Sequence, residues 1–157
     1  MAPEAGDIRR QIDVDEPNYP ELAARLGLGA VPHLRALIDD PAVAAKAIYL
    51  LSLLPSAESL GGIAVAARSA DDSVRVAAAA ALGNITSLPA FDADPAQAEG
   101  TVRRLLTDPD PGVRKVALRS ARAVGPQAVR AALERMASED PDSQLRRAAQ
   151  DALTDLV

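Results

Sequence analysis

A fifteen-residue pattern, written four times from Asp40, Asp71, Asp110 and Asp142, leaves this chain few choices of fold. Position zero of each copy holds Val43, Val74, Val113 and Leu145. Four residues on stand Ala47, Ala78, Ala117 and Ala149; eight on, Leu51, Leu82, Ala121 and Leu153; eleven on, Leu54, Ile85, Val124 and Leu156. Offsets of zero, four, eight and eleven share one face of an α-helix. That face is large at its ends and alanine at its waist, which lets a neighbouring helix approach closely. One such helix cannot bury its face alone, but a stack of them can, and stacking at near-constant spacing makes a solenoid.

Shorter apolar segments precede each copy and supply the other helix of each pair. The expected units are 30–54, 56–85, 95–124 and 126–157, within a single domain spanning 1–157. Residues 17–29 read as a capping helix. Asn18 caps it, Pro20 sits at its first turn and Gly27-Leu28-Gly29 ends it. In segment 1–16, Ile8, Ile12 and Val14 either form a turn that covers the first helix or belong to a weakly ordered terminus. Position zero advances by 31 residues from Val43 to Val74, by 39 to Val113 and by 32 to Leu145. About seven extra residues therefore fall in an inserted loop, 86–94. Gly61-Gly62 inside a helical stretch costs roughly 1 kcal/mol per glycine relative to alanine, which a close helix contact would offset.

Three residues before position zero, every copy has Asp, which accepts N–H bonds at a helix start and favours the positive end of its dipole. One residue after it, three copies have Arg75, Arg114 and Arg146, while the first has Ala44. Asp71-Asp72-Ser73-Val74-Arg75 followed by Leu82-Gly83, with Asp110-Pro111-Gly112-Val113-Arg114 and Asp142-Ser143-Gln144-Leu145-Arg146, resembles the second helix of HEAT-like repeats, of the short kind also seen in phycobilin lyase subunits. The resemblance covers about residues 30 to 157. It implies an all-α fold, an α-solenoid wound as a right-handed superhelix of about four helix pairs, with second helices lining the concave face. It also implies a structural ladder between repeats, drawn from Asp40, Asp71, Asp110, Asp142, Arg75, Arg114 and Arg146. The family includes adaptors, lyase subunits and DNA-repair enzymes, so the motif speaks for fold and hardly for chemistry.

Composition removes several function classes. The chain has no cysteine, which excludes disulfides, thiolate catalysis and thiolate metal sites. His33 is the lone histidine, so a multi-histidine metal site is excluded too. No Gly-x-Ser-x-Gly elbow and no phosphate-binding loop occur. Asp92 and Asp94 lack the ligand spacing of a calcium loop and read as caps. We therefore expect no enzyme, no cofactor and no metal. Aromatics make up 2%, too few for an aromatic-lined ligand pocket. The net charge of -5 argues against general binding to nucleic acid or anionic membrane. With no span of about 18 apolar residues and no signal-like N-terminus, the expected location is cytoplasmic. Arg in place of Lys, with abundant Ala, Asp and Pro, suggests a high-GC bacterial source.

What remains is a binding surface. Offsets two, six and nine face away from the core stripe. They read Ala45, Tyr49, Ser52; Val76, Ala80, Gly83; Lys115, Arg119, Arg122; and Arg147, Asp151, Thr154. The third set is wholly basic, and eight of the chain's 17 cations but only three of its 22 acids lie between Thr101 and Arg135. Such a patch suits a carboxylate-bearing protein or peptide, or equally a solvated face balanced by loop aspartates. The expected partner-binding residues are Lys115, Arg119, Arg122, Arg147, Tyr49 and Phe91. Phe91 either anchors a partner or plugs the gap between the second and third repeats. The leading function is thus a non-catalytic protein–protein interaction module, an adaptor, scaffold or regulatory subunit. The alternatives are a lyase-like or DNA-glycosylase-like enzyme using Tyr49, Asp151 and His33, or nucleic-acid binding through the third-repeat arginines.

Overall fold

A computed structural model describes residues 4–156. Among the described residues there are ten α-helices and no strand. They are α1 (Ala5–Ile12), α2 (Tyr19–Leu26), α3 (Val31–Ala36), α4 (Ala44–Ser52), α5 (Ala57–Ala66), α6 (Asp72–Thr86), α7 (Pro95–Leu106), α8 (Pro111–Val124), α9 (Arg130–Glu139) and α10 (Ser143–Thr154). Each of the last four pairs, α3/α4 to α9/α10, packs within itself and against the next. First helices meet first helices, and second helices meet second helices. The protein is an all-α solenoid.

The four-fold stripe is the core of this stack. Ala47, Ala78, Ala117 and Ala149 are all fully buried, and the position-zero residues lie beside them in the interior. The waist earns its alanines at the seam between α6 and α8. There, a Cβ on Gly83 would come within 2.7 Å of Ser120 Oγ. Ser120 in turn donates to the Ala79 carbonyl at 2.6 Å, so the two helices touch almost backbone to backbone. Gly62 plays a like part between α5 and its neighbours: its Cβ would lie 2.9 Å from Arg35 Cγ and 3.0 Å from Leu51 Cδ1. Gly61, expected to share that role, faces open space.

The cap aspartates sit where the pattern puts them. Asp71 Oδ1 accepts from the Ser73 N–H at 2.8 Å, Asp110 from Val113 at 2.9 Å and Asp142 from Gln144 at 2.8 Å. The first copy differs. Its helix begins only at Ala44, and Asp40 instead accepts from Ala42 in the preceding turn. The inserted loop adds a further cap, Asp94, which accepts from the Ala96 N–H ahead of α7.

Segment 1–16 and the start of α9 have their own geometry. Segment 1–16 contains a helix, α1, whose Ile8 and Ile12 are fully buried, while Val14 is left exposed. Arg9 of α1 reaches Asp40 at 2.9 Å and ties the segment to the first pair. At the other end, α9 begins at Arg130 rather than near Pro126. Gly125 closes α8 with a φ of 124°, and a turn over 126–129 separates the two helices.

Candidate functional site

The Asp–Arg ladder exists, with different carboxylates from those expected. Arg75 does not pair with a cap aspartate. Its Nε and Nη2 donate to both oxygens of Asp108 at 2.8 and 3.1 Å. Arg114 holds Asp140 in the same fork. The third guanidinium nitrogen, Nη1, binds carbonyls of the helix's own loop: Ser69 and Ala70 for Arg75, Asp108 and Pro109 for Arg114. Asp108 and Asp140 also accept the N–H of the cap aspartate two residues on. Each rung therefore fixes one loop, the next loop and the next helix start together. Arg146 repeats the carbonyl contacts through Nη1, to Asp140 and Pro141.

The ladder carboxylate stands five residues before position zero, and that place was readable in the sequence. It holds Asp108 and Asp140 in the third and fourth copies but Ser69 in the second. The first copy lacks the matching arginine, having Ala44. Both halves of the first rung are thus missing together. Asp40 takes Arg9 instead, and the Arg9 hydrogen bond, then the Ala42 N–H, holds its carboxyl below the usual range.

The exposed face of the second helices is not uniform. Ser52, expected to project outward, is buried in the α4–α6 seam, where Asn84 Nδ2 donates to its Oγ at 3.4 Å. The next copy has Gly83 at this offset and the third has Arg122. A serine and a glycine permit a closed seam, whereas a long cation does not. The seam between α8 and α10 is correspondingly open, with a groove of about 410 Å³ lined by Lys115, Leu118, Arg119, Gln144, Leu145 and Ala148. It continues past Arg122 and Ala152 in one direction and past Arg147 and Asp151 in another.

This groove has an apolar floor, as Leu118 and Leu145 are buried. Its walls carry four cations, Lys115, Arg119, Arg122 and Arg147, against two carboxylates, Asp142 and Asp151. Among the described residues, Lys115, Arg119 and Arg147 have no carboxylate partner, while Arg122 forms an exposed pair with Asp155 at 3.0 Å. The basic stretch is narrower than its composition suggests. Arg114 belongs to the ladder, and Arg103 and Arg130 pair with Glu99 and Glu134 on their own helices. Arg104 lines a separate groove with Arg68, between α5 and α7.

The remaining candidates lie elsewhere. Phe91 is half-buried and packs against the core with Leu88 and Ala93. Tyr49 is 38% exposed on α4 and meets Tyr19 edge to face, with ring centroids 4.8 Å apart. His33, Tyr49 and Asp151 stand on α3, α4 and α10, in the first and last pairs, so the fold does not gather them into one site. Among the described residues no group of three His, Asp or Glu side chains is placed to hold a metal, and no helix is long and apolar enough to cross a membrane.

Residues 85–154 match the family model of HEAT repeats. That window takes in the end of α6 and the whole of α7 to α10, including the Arg114–Asp140 rung and the groove, while Arg75 of the other rung lies before it. Over this window the chain carries HEAT-like repeats, and repeats of this kind commonly mediate protein–protein interaction. No curated protein matches the chain in sequence.

Proposed function

We infer that this protein is a non-catalytic interaction module, an adaptor, scaffold or regulatory subunit. It binds an acidic segment of another protein in the groove between α8 and α10. The observation that carries this reading is the pairing of a buried apolar floor, Leu118 and Leu145, with the unpartnered cations Lys115, Arg119 and Arg147. Apolar area supplies affinity and the cations select the partner by charge. Nucleic acid is less well served, because half of the eight cations in the basic stretch are already held by carboxylates.

Affinity capture from source-cell extract tests the site. The Lys115→Glu/Arg119→Glu variant should lose a partner that the native protein retains. Arg68→Glu/Arg104→Glu, reversing the other groove, should keep it. A partner that survives the first variant and is lost with the second puts the site elsewhere.

A further inference from the structure

We propose that the occupant of the α8–α10 groove is an amphipathic helix of a partner protein, with carboxylates spaced one helical turn apart. This rests on the reading of the groove as the binding site. It follows from what the walls lack as much as from what they offer. Both walls are helices, whose interior N–H and C=O groups are consumed by their own hydrogen bonds. An extended peptide laid between them would find no backbone partners for its own amides. A helix arrives with those groups already satisfied, and needs only side-chain contacts.

The cations are spaced to match. Lys115, Arg119 and Arg122 stand at i, i+4 and i+7 on α8, so they rise along one stripe. Acidic side chains at the same spacing on a helix lying alongside would meet Lys115 and Arg119 in register, and would meet Arg122 by displacing its exposed pair with Asp155. The lining runs from Pro111 to Arg122 on α8, roughly 17 Å of helix, which accommodates about three turns of a partner. The floor between, Leu118 and Ala148, takes an aliphatic stripe next to the acidic one.

Three synthetic 18-residue peptides of identical composition test this against isotope-labelled full-length protein by nuclear magnetic resonance titration. The first carries glutamates at i, i+4 and i+7 and leucines at i+1, i+5 and i+8. The second distributes the same residues around the helix. The third keeps the first pattern but moves a proline into its centre. The first should bind at least about tenfold tighter than the others, shift the amides of α8 and α10, and gain helix on binding. Its affinity should fall by a similar factor with Lys115→Glu/Arg119→Glu protein. Equal binding by all three peptides, or none by the first, overturns the helical occupant. So does a dimer of this chain, seen by sedimentation, that Lys115→Glu dissociates, because the groove then holds a second copy. If the peptides fail while charge reversal still abolishes capture of the cellular partner, the site stands and only its helical occupant falls.

Discussion

Arg114 grips Asp140 through two parallel hydrogen bonds, Nε to Oδ2 at 2.8 Å and Nη2 to Oδ1 at 3.0 Å, with side chains only 10% and 3% exposed. The two come from adjacent repeats, so the bond measures cohesion of the stack rather than of one helix. Asp140→Ala strands a buried guanidinium and frees the Asp142 N–H. Breaking such a pair from one side costs about 3–5 kcal/mol. A urea titration should show a midpoint lowered accordingly at unchanged slope. Loss of less than about 1 kcal/mol would show the rung to be dispensable.

The same rung makes the fold acid-sensitive. Burial pushes the Asp140 carboxyl up. The hydrogen bonds from Arg114 and the Asp142 N–H, with the charges of Arg114 and Arg146, outweigh it and hold the carboxyl below its ordinary value. A group lowered by folding stabilises the native state above its unfolded value, about 3.9, and loses that contribution as pH falls through the folded value. Stability should therefore hold down to about pH 5 and decline below about pH 4. Asp140→Asn should start lower at neutral pH and decline less steeply in acid, because its amide does not titrate.

Two glycines should respond to alanine with opposite signs. Gly61 lies within α5 with open space where a Cβ would go, so Gly61→Ala should stabilise by about 0.5–1 kcal/mol through helix propensity and unfolded-state entropy. At Gly83 the added Cβ meets Ser120 Oγ at 2.7 Å and the Ser120 backbone at 3.3 Å. Overpacking of about 1–3 kcal/mol then exceeds the propensity gain. Adding Ser120→Gly to Gly83→Ala should recover part of the loss, which a double-mutant cycle reads as coupling.

These contrasts mark where a helical pattern is legible in sequence. Period and capping depend on residues within one helix, so the stripe from Val74 to Ile85 and the caps at Asp71, Asp110 and Asp142 follow from spacing alone. The rungs depend on which loop lies beside which. Asp71, four residues before Arg75, is the carboxylate nearest it in sequence, and only stacking brings Asp108 to its fork instead. Phe91 shows the same limit, since a lone aromatic in a polar loop can turn either way, and its half-buried place against the core is set only by the fold. The groove was half visible: its cations stood out, but its opening depends on Arg122 taking the place held by Ser52 and Gly83 in the closed seams.

Burial of Ile8 and Ile12 makes α1 part of the fold rather than a loose leader. Ile12→Ala removes buried methylenes and should cost about 2–4 kcal/mol. The Arg9–Asp40 pair is more exposed, so Arg9→Ala should change stability little by comparison. Hydrogen exchange in Ile12→Ala protein should rise first in α1 and in α3, against which it packs. Unchanged protection there would mean that α1 does not hold the first pair closed.

Lys115 and Arg119 stand four residues apart on an exposed stripe of α8, where like charges repel. Lys115→Glu replaces that repulsion with a Glu–Arg pair in the favourable order, acid toward the N-terminus. The variant should therefore be more stable by a few tenths of a kcal/mol while binding its acidic partner less well. Added salt should shrink both effects, since both are surface electrostatics. Chemical denaturation and a binding titration on the same preparation check the two signs together. A residue kept for stability would move both measurements down. Opposite movements would show that the native chain tolerates repulsion at this stripe because the stripe is used.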